Sequence, residues 1–238
     1  MTETVGLTLV TGATRGIGRA IADHLSALGH RVIGLASKPS QDFPYELVLA
    51  DLADEVATAG AIERIRTVGP VHHLVNNAGI SLLGDILSLN LSDFRRLFEV
   101  NCRAPSQLVK AFLPDMIAAG YGRIVNIGSK AQEGRAGVSA YAATKAAMQA
   151  MTVSWALECV AKGVTVNLVA PGAIQTEMLD QNNPVGSERR QRLTAMIPAG
   201  QLGQPGQIAG AVAYFLSPAA AYTTGQTLNV CGGWSLPR

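Results

Sequence analysis

Charge and aromatic rings are both scarce in this 238-residue chain, at 15% and 5% of residues. Lysine and arginine number 19 against 17 aspartate and glutamate, a net charge of +2, and they form no continuous basic block. A nucleic-acid groove needs clustered cations and stacking aromatics, so no nucleic-acid partner is expected. Cysteine is sparse as well. Cys102, Cys159 and Cys231 are odd in number, far apart and without metal-ligand spacing. That argues against a disulfide framework and for free thiols in a reducing, cytoplasmic compartment. His72 and His73, placed ahead of a strand, have no second Cys/His group, so no metal is expected and a structural or solvated role is. No apolar run reaches the roughly 18 residues of a membrane helix. Residues 1–6 lack a basic start and an apolar stretch, so no signal peptide is expected.

Apolar residues, in contrast, make up 48% of the chain. So much apolar surface asks for a sheet covered on both faces, or for subunit contacts. Residues 1–238 fit a single domain. Strand-like runs at Leu7–Thr11, Arg31–Leu35, Leu47–Ala50, His73–Asn76, Arg123–Gly128, Val164–Ala170 and Thr227–Val230 alternate with helical ones. The helices read as Gly16–Leu28, Asp54–Val68, Ser92 (as cap) to Ala119 with a bend at Pro114, Ser139–Lys162 and Pro205–Leu216. The pattern predicts an α/β fold: a Rossmann-type, doubly wound parallel sheet of about seven strands. Residues 177–200 are mixed in character and are expected to form a substrate-binding lid. Only about ten residues join strands two and three, too few for the usual crossover helix, so one helical turn at most is expected there.

The first strand runs into Gly12-Ala13-Thr14-Arg15-Gly16-Ile17-Gly18 and then a helix. Glycines let the backbone turn sharply against a pyrophosphate, and the helix start offers free N–H groups. The spacing is G-x-x-x-G-x-G rather than G-x-G-x-x-G, and a tight turn without ligand is the alternative. An NAD site carries an acid about 20 residues further on, at the ribose 2′-hydroxyl. Here that region reads Ala36-Ser37-Lys38. Arg15, Ser37 and Lys38 suit a 2′-phosphate, which favours NADP(H) over NAD(H). Solvated charges at Arg15 and Lys38, or Asp42 folding back as a ribose acid, are the alternatives.

Tyr141 and Lys145 stand four apart in a helical run, so phenol and ammonium share a face. A free phenol ionises near pH ~10, and a neighbouring cation favours phenolate. That makes tyrosine usable as a proton donor or acceptor. Ser129 and the Asn76–Gly79 segment follow strands at their carboxyl ends, where open parallel sheets bind ligands. Asn101 interrupts a long helical run, read either as a surface residue or as a distortion that frees a carbonyl for water.

With these residues in order, the chain resembles a short-chain dehydrogenase/reductase and is similar to the 3-oxoacyl-acyl-carrier-protein reductase branch, over essentially its whole length. The resemblance assigns Asn101, Ser129, Tyr141 and Lys145 to catalysis. It assigns Gly12, Thr14, Arg15, Gly16, Ile17, Gly18, Asp51, Leu52, Asn77, Ala78 and Gly79, with Pro171, Gly172, Ile174 and Thr176, to cofactor contacts, Tyr141 and Lys145 sharing in both. Asp51 would contact adenine, and the Pro171–Thr176 stretch the nicotinamide amide. Tyr141 would protonate the substrate oxygen, Ser129 hold it, Lys145 bind the nicotinamide ribose, and Asn101 support a water chain. The resemblance also implies a homotetramer, to which the alanine-rich Ser139–Lys162 run is suited.

There are departures. The interval from Ser129 to Tyr141 is one residue shorter than the reductase branch leads one to expect, with Gly134 and Gly137 available to absorb it. Residues 130–135 are polar for the wall of an acyl-chain site. Arg135 and Lys162 are the candidates for a carrier-protein patch. Arg189, Arg190 and Arg192 read as a solvated face or as a lid over a charged ligand. The substrate is expected to be a small carbonyl or alcohol, with a carrier-bound 3-oxoacyl thioester as one form. An alcohol or cyclic-diol dehydrogenase is the alternative of the same chemistry, and a dinucleotide-binding regulator without turnover the alternative of another class.

Overall fold

A computed structural model describes residues 6–237. The signal-peptide expectation falls on residues that lie, except for Gly6, outside this range. Seven parallel strands form one sheet: β1 (Leu7–Thr11), β2 (Arg31–Ala36), β3 (Glu46–Leu49), β4 (Val71–Asn76), β5 (Gly122–Ile127), β6 (Val164–Pro171) and β7 (Thr227–Val230), in the order β3-β2-β1-β4-β5-β6-β7. β1, β5 and β6 are buried along their full length, as a sheet sandwiched between helices requires.

Two helical layers cover the faces. On one, α1 (Gly16–Ala27) packs against α8 (Pro205–Leu216), with Ile21, Ala22 and Leu25 meeting a core shared with Ile208, Ala209 and Val212. On the other lie α2 (Glu55–Val68), α4 (Ala104–Ala118) and α5 (Ser139–Cys159), which bury Ile65, Leu108, Phe112 and Ala156 against β1, β4 and β5. Truncating one of the largest of these, such as Phe112, to alanine would cost about 3–5 kcal/mol. The chain order reverses between β1 and β4, and the carboxyl ends of the strands open there into a cleft.

The connection from β2 to β3 has no helix at all. The buried ring of Phe43 takes the place of one. A Cβ on Gly34 of β2 would stand 2.6 Å from that ring. Tyr45 meets Phe43 edge-on at 5.2 Å, and Arg19 of α1 lies 5.8 Å above Phe43 and donates to the Asp42 carbonyl at 2.7 Å. An aromatic plug thus seals the sheet face.

The long helical run divides in three. α3 (Leu91–Phe98) is capped by Asn90, whose side chain accepts from the Ser92 amide at 2.8 Å, so Asn90 and not Ser92 is the cap. A π-helical turn follows over Glu99–Arg103, and α4 continues from Ala104 with Pro114 inside it. The interruption therefore falls at Asn101 rather than at Pro114. Residues 177–200 form α6 (Glu177–Asn182) and α7 (Glu188–Ala195) at the cleft mouth. His72 and His73 lie within β4, not ahead of it.

Candidate active site

The cleft has a volume of ≈ 1390 Å³ and runs across the carboxyl edge of the sheet. Every residue expected to hold cofactor lines it, from Gly12 and Thr14 through Ser37, Lys38, Asp51 and Asn77 to Pro171 and Thr176. Ser129, Tyr141 and Lys145 line it too, whereas Asn101 is buried behind its wall.

The glycine turn fits a dinucleotide pyrophosphate. Gly12 and Gly16 take φ +64° and +54°, the left-handed region that side chains avoid. A Cβ on Gly18 would stand 2.1 Å from the Gly12 carbonyl, so only glycine lets α1 start this close to β1. No side chain caps α1, and no acid occupies its first turn, which leaves its N-terminal amides open to an anion. Asn77 steadies the turn by donating to the Thr11 carbonyl at 2.8 Å, while the Thr11 hydroxyl accepts from the Ala78 amide at 2.9 Å. Arg15 reaches across to Glu177 at 3.8 Å, both side chains being exposed. Asp42 does not line the cleft, so it is no ribose acid.

At the other end, α5 carries Tyr141 and Lys145 past Ser129 at the end of β5. Ser129 Oγ accepts from the Ala131 amide at 3.1 Å and is near enough to the Tyr141 phenol to favour its ionised form. Burial raises the Tyr141 pKa, while Ser129 and the positive charge of Arg135 pull it down. Lys145 Nζ lies 5.8 Å from the Tyr141 ring centre. Burial lowers the Lys145 pKa from 10.5 to about 8. A Cβ on Gly79 would crowd Asn101 Oδ1 at 3.3 Å and touch Lys145 Nζ at 3.5 Å, so this glycine stands against both. Gly134 and Gly137 sit at φ +90° and +75° and shape the loop between Ser129 and Tyr141, as their spacing suggested.

Other expectations separate. Arg135, Arg189 and Arg192 line the cleft. Lys162 follows α5 just before β6 and therefore lies at the opposite, amino edge of the sheet, away from Arg135. Cys102 is buried, and burial raises its thiol pKa to about 11, as suits a small apolar side chain. Cys159 and Cys231 are likewise free and buried. Among the described residues no group of His, Cys, Asp or Glu is placed to hold a metal, and no helix is long and apolar enough to cross a membrane. Sequence reasoning missed Met178 and Trp234 in the cleft wall, since neither belongs to a motif.

A glycine-turned helix start and a Ser–Tyr–Lys set in one cleft, at the switch point of a parallel sheet, define a nicotinamide-dinucleotide oxidoreductase domain. Comparison with known proteins agrees. Residues 12–235 match the family model described as enoyl-(acyl carrier protein) reductase, and the chain belongs to this short-chain dehydrogenase/reductase family. It is 42% identical over 235 residues to the 3-oxoacyl-(acyl-carrier-protein) reductase FabG of Vibrio cholerae, covering 94% of this chain and 95% of that one. Among solved structures it is similar to a blue fluorescent protein from a metagenomic library in complex with NADPH, at 37% identity and TM-score 0.88, covering 97% and 98% of the two chains. It is also similar to a gluconate 5-dehydrogenase from Burkholderia cenocepacia in complex with NADP and tartrate, at 29% identity and TM-score 0.90, covering 98% and 96%.

Proposed function

We propose that this chain is an NADP(H)-dependent carbonyl reductase whose substrate is a 3-oxoacyl thioester on a carrier protein. The observation that carries the reading is the convergence of Ser129, Tyr141 and Lys145 beside the glycine turn in one cleft. The NADPH and NADP complexes of its structural relatives support the cofactor, and the name of its Vibrio relative supports the substrate. Arg15, Ser37 and Lys38 would hold the 2′-phosphate. The cofactor supplies a hydride when bound.

Tyr141 delivers the proton to the substrate oxygen. The Ala131 amide occupies a lone pair of Ser129, which leaves the serine proton free to hold that oxygen or the phenolate. Lys145 binds the nicotinamide ribose and, as an ammonium at neutral pH, favours phenolate as the phenol gives up its proton. Asn101 sits in a π turn, a distortion found mostly at functional sites, and would support a proton-relay water there. We read residues 1–238 as one domain with 177–200 closing over the substrate, working in the cytoplasm as a homotetramer. Val153 and Leu157, exposed on α5, suit such an interface.

A second reading rests on Arg135, which lines the same cleft as Tyr141 and whose positive charge is felt by the phenol: a dehydrogenase of small hydroxy acids, whose carboxylate that cation would attract. A panel of acetoacetyl thioesters and oxo-sugar acids with NADPH and NADH, followed by nicotinamide absorbance, separates the two. Fastest turnover is expected with NADPH and the carrier-bound thioester. Tyr141→Phe should keep NADPH binding and lose about 10²–10⁴-fold in turnover, the usual worth of a positioned acid. Wild-type turnover by that variant would refute the mechanism.

A further inference from the structure

The α5 turn that bears Tyr141 and Lys145 meets the π turn at Thr144, whose carbonyl accepts from the Cys102 thiol at 3.5 Å and whose hydroxyl makes a closer link. Thr144 is fully buried. Its hydroxyl donates to the Tyr141 carbonyl at 2.8 Å and accepts from Asn101 Nδ2 at 3.0 Å. The other proton of that Asn101 amide goes to the Ile80 carbonyl at 3.0 Å, and Asn101 Oδ1 accepts from the Ile80 N–H at 3.0 Å. Because Oδ1 faces an N–H and Nδ2 faces a carbonyl, the amide has one permitted orientation, and both of its protons are spent.

A threonine hydroxyl bonded to the carbonyl three residues back is common in helices and by itself means little. What sets Thr144 apart is the second bond. It makes a directed chain in which Asn101 donates to Thr144 and Thr144 donates to the backbone of Tyr141. The chain runs from the segment after β4, through the distorted turn, into the helix that presents the phenol and the amine. Removing the hydroxyl would leave a buried amide proton and one lone pair of a helical carbonyl without partners. The weaker Cys102 thiol contact to the Thr144 carbonyl, at 3.5 Å, would then be the remaining hydrogen bond among the described residues between the π turn and this turn of α5.

We propose that Thr144 is a positioning residue that sets the placement of Tyr141 and Lys145 relative to Asn101, a role that rests on Tyr141 and Lys145 being the acid–base pair. Thr144 lies outside the cleft lining, so it acts through its neighbours and not on substrate. The substitution that isolates the hydroxyl is Thr144→Val, which preserves the branched shape. Thr144→Ser retains the hydroxyl and loses the methyl.

Purified wild type, Thr144→Val and Thr144→Ser are compared with NADPH and an acetoacetyl thioester. Thr144→Val is expected to lower kcat about tenfold, as sub-ångström misplacement does, while the KM for NADPH changes less than about twofold. Thr144→Ser should recover most of the loss. A second readout needs no turnover: the ionisation of Tyr141 in the cofactor-free protein, taken from tyrosinate absorbance after subtracting the matching Tyr141→Phe background. It should move in Thr144→Val and return in Thr144→Ser. If Thr144→Val does not fold, Thr144→Ala carries the same expectation. A valine variant with wild-type kcat and phenol ionisation, or a serine variant as impaired as the valine one, overturns the assignment. Full activity in Tyr141→Phe would instead overturn the acid–base reading beneath it, so the two failures are distinguishable.

Discussion

Lys145 Nζ donates to the carbonyl oxygen of Ile127 at 2.7 Å, which ties the helix of the proposed acid–base pair to the last residue of β5. The ammonium is buried, and among the described residues no carboxylate is paired with it. Burial lowers its pKa to about 8, against a smaller upward pull from Cys102.

A pH dependence follows from that burial. A lowered amine pKa means that the proton leaves earlier on the way up in pH than it would from a free lysine. Below pH 8 the free enzyme holds an ammonium beside the phenol. Above it the charge and the relayed proton are both lost. Reductive kcat/KM should therefore fall as pH rises through about 8, since this quantity reports the free enzyme. A pH profile of NADPH oxidation checks it, and a rate that climbs steadily from pH 7 to 10 would contradict it.

Much of this was legible because motif and period coincide. The strands Leu7–Thr11 and Thr227–Val230, and the helix Pro205–Leu216, were read to the residue. Tyr141 and Lys145 stood out because a spacing of four has meaning only in a helix. The aromatic plug at Phe43 was not legible, because a single ring facing Gly34 leaves no periodic trace. Asn90 was overlooked as a cap because Ser92 two residues later is an equally good capping type. The inward turn of Arg190 was hidden for a similar reason: three arginines in four positions look alike until the partners Asp180 and Gln175 are placed. Side-chain partners distant in sequence are what composition and period cannot carry.

Cofactor choice can be tested at Arg15, whose one ion pair among the described residues is the exposed one to Glu177. Such a pair is worth about 0–1 kcal/mol, so a phosphate can displace it at little cost. Arg15→Ala should raise the KM for NADPH about tenfold or more and that for NADH far less, because a charged hydrogen bond to the 2′-phosphate is worth about 1.5–3 kcal/mol. Equal changes in the two constants would remove Arg15 from the 2′-phosphate site.

Stability should fall in mild acid, and His73 gives a reason. It is buried in β4, where Nδ1 lies 3.1 Å from the Thr8 hydroxyl and Nε2 lies 2.8 Å from the Tyr121 hydroxyl. Burial, then the charges of His30, Arg123 and His72, lower its pKa from 6.5 to about 3. Between those values the unfolded chain binds the proton and the folded one does not. Stability is thus fully present above pH 6.5 and drains away as pH drops toward 3, by at most about 1.4 kcal/mol per pH unit from this group. Burial lowers the pKa of His30 as well, which acts in the same direction. Urea unfolding at pH 7 and pH 5 should show a smaller difference for His73→Gln than for wild type. Matching differences would place the acid sensitivity elsewhere.

The proposed lid can be tested at Arg190. Arg190 donates to Asp180 of α6, to the Gln175 side-chain oxygen and, at 3.2 Å, to the Asn183 carbonyl. Gln175 closes the ring by donating to Asp180 at 2.9 and 3.1 Å. The Arg190 and Gln175 contacts hold the Asp180 pKa below its ordinary value, so the clasp stays charged at neutral pH. One guanidinium thereby binds α6, α7 and residue 175 into a unit, next to Thr176 in the cleft wall. Loosening it should affect cofactor and substrate together, as hinge and lid changes do. Arg190→Ala is expected to raise the KM for NADPH and for the carbonyl about tenfold each, the scale of a small misplacement. Arg190→Lys should recover only part of this, because a compact ammonium lacks the breadth and planar geometry with which the guanidinium reaches Asp180 and Gln175 from two nitrogens. Initial-rate kinetics on the two variants decide it: unchanged constants in Arg190→Ala, or full recovery by lysine, would show that the lid keeps its shape without the fork.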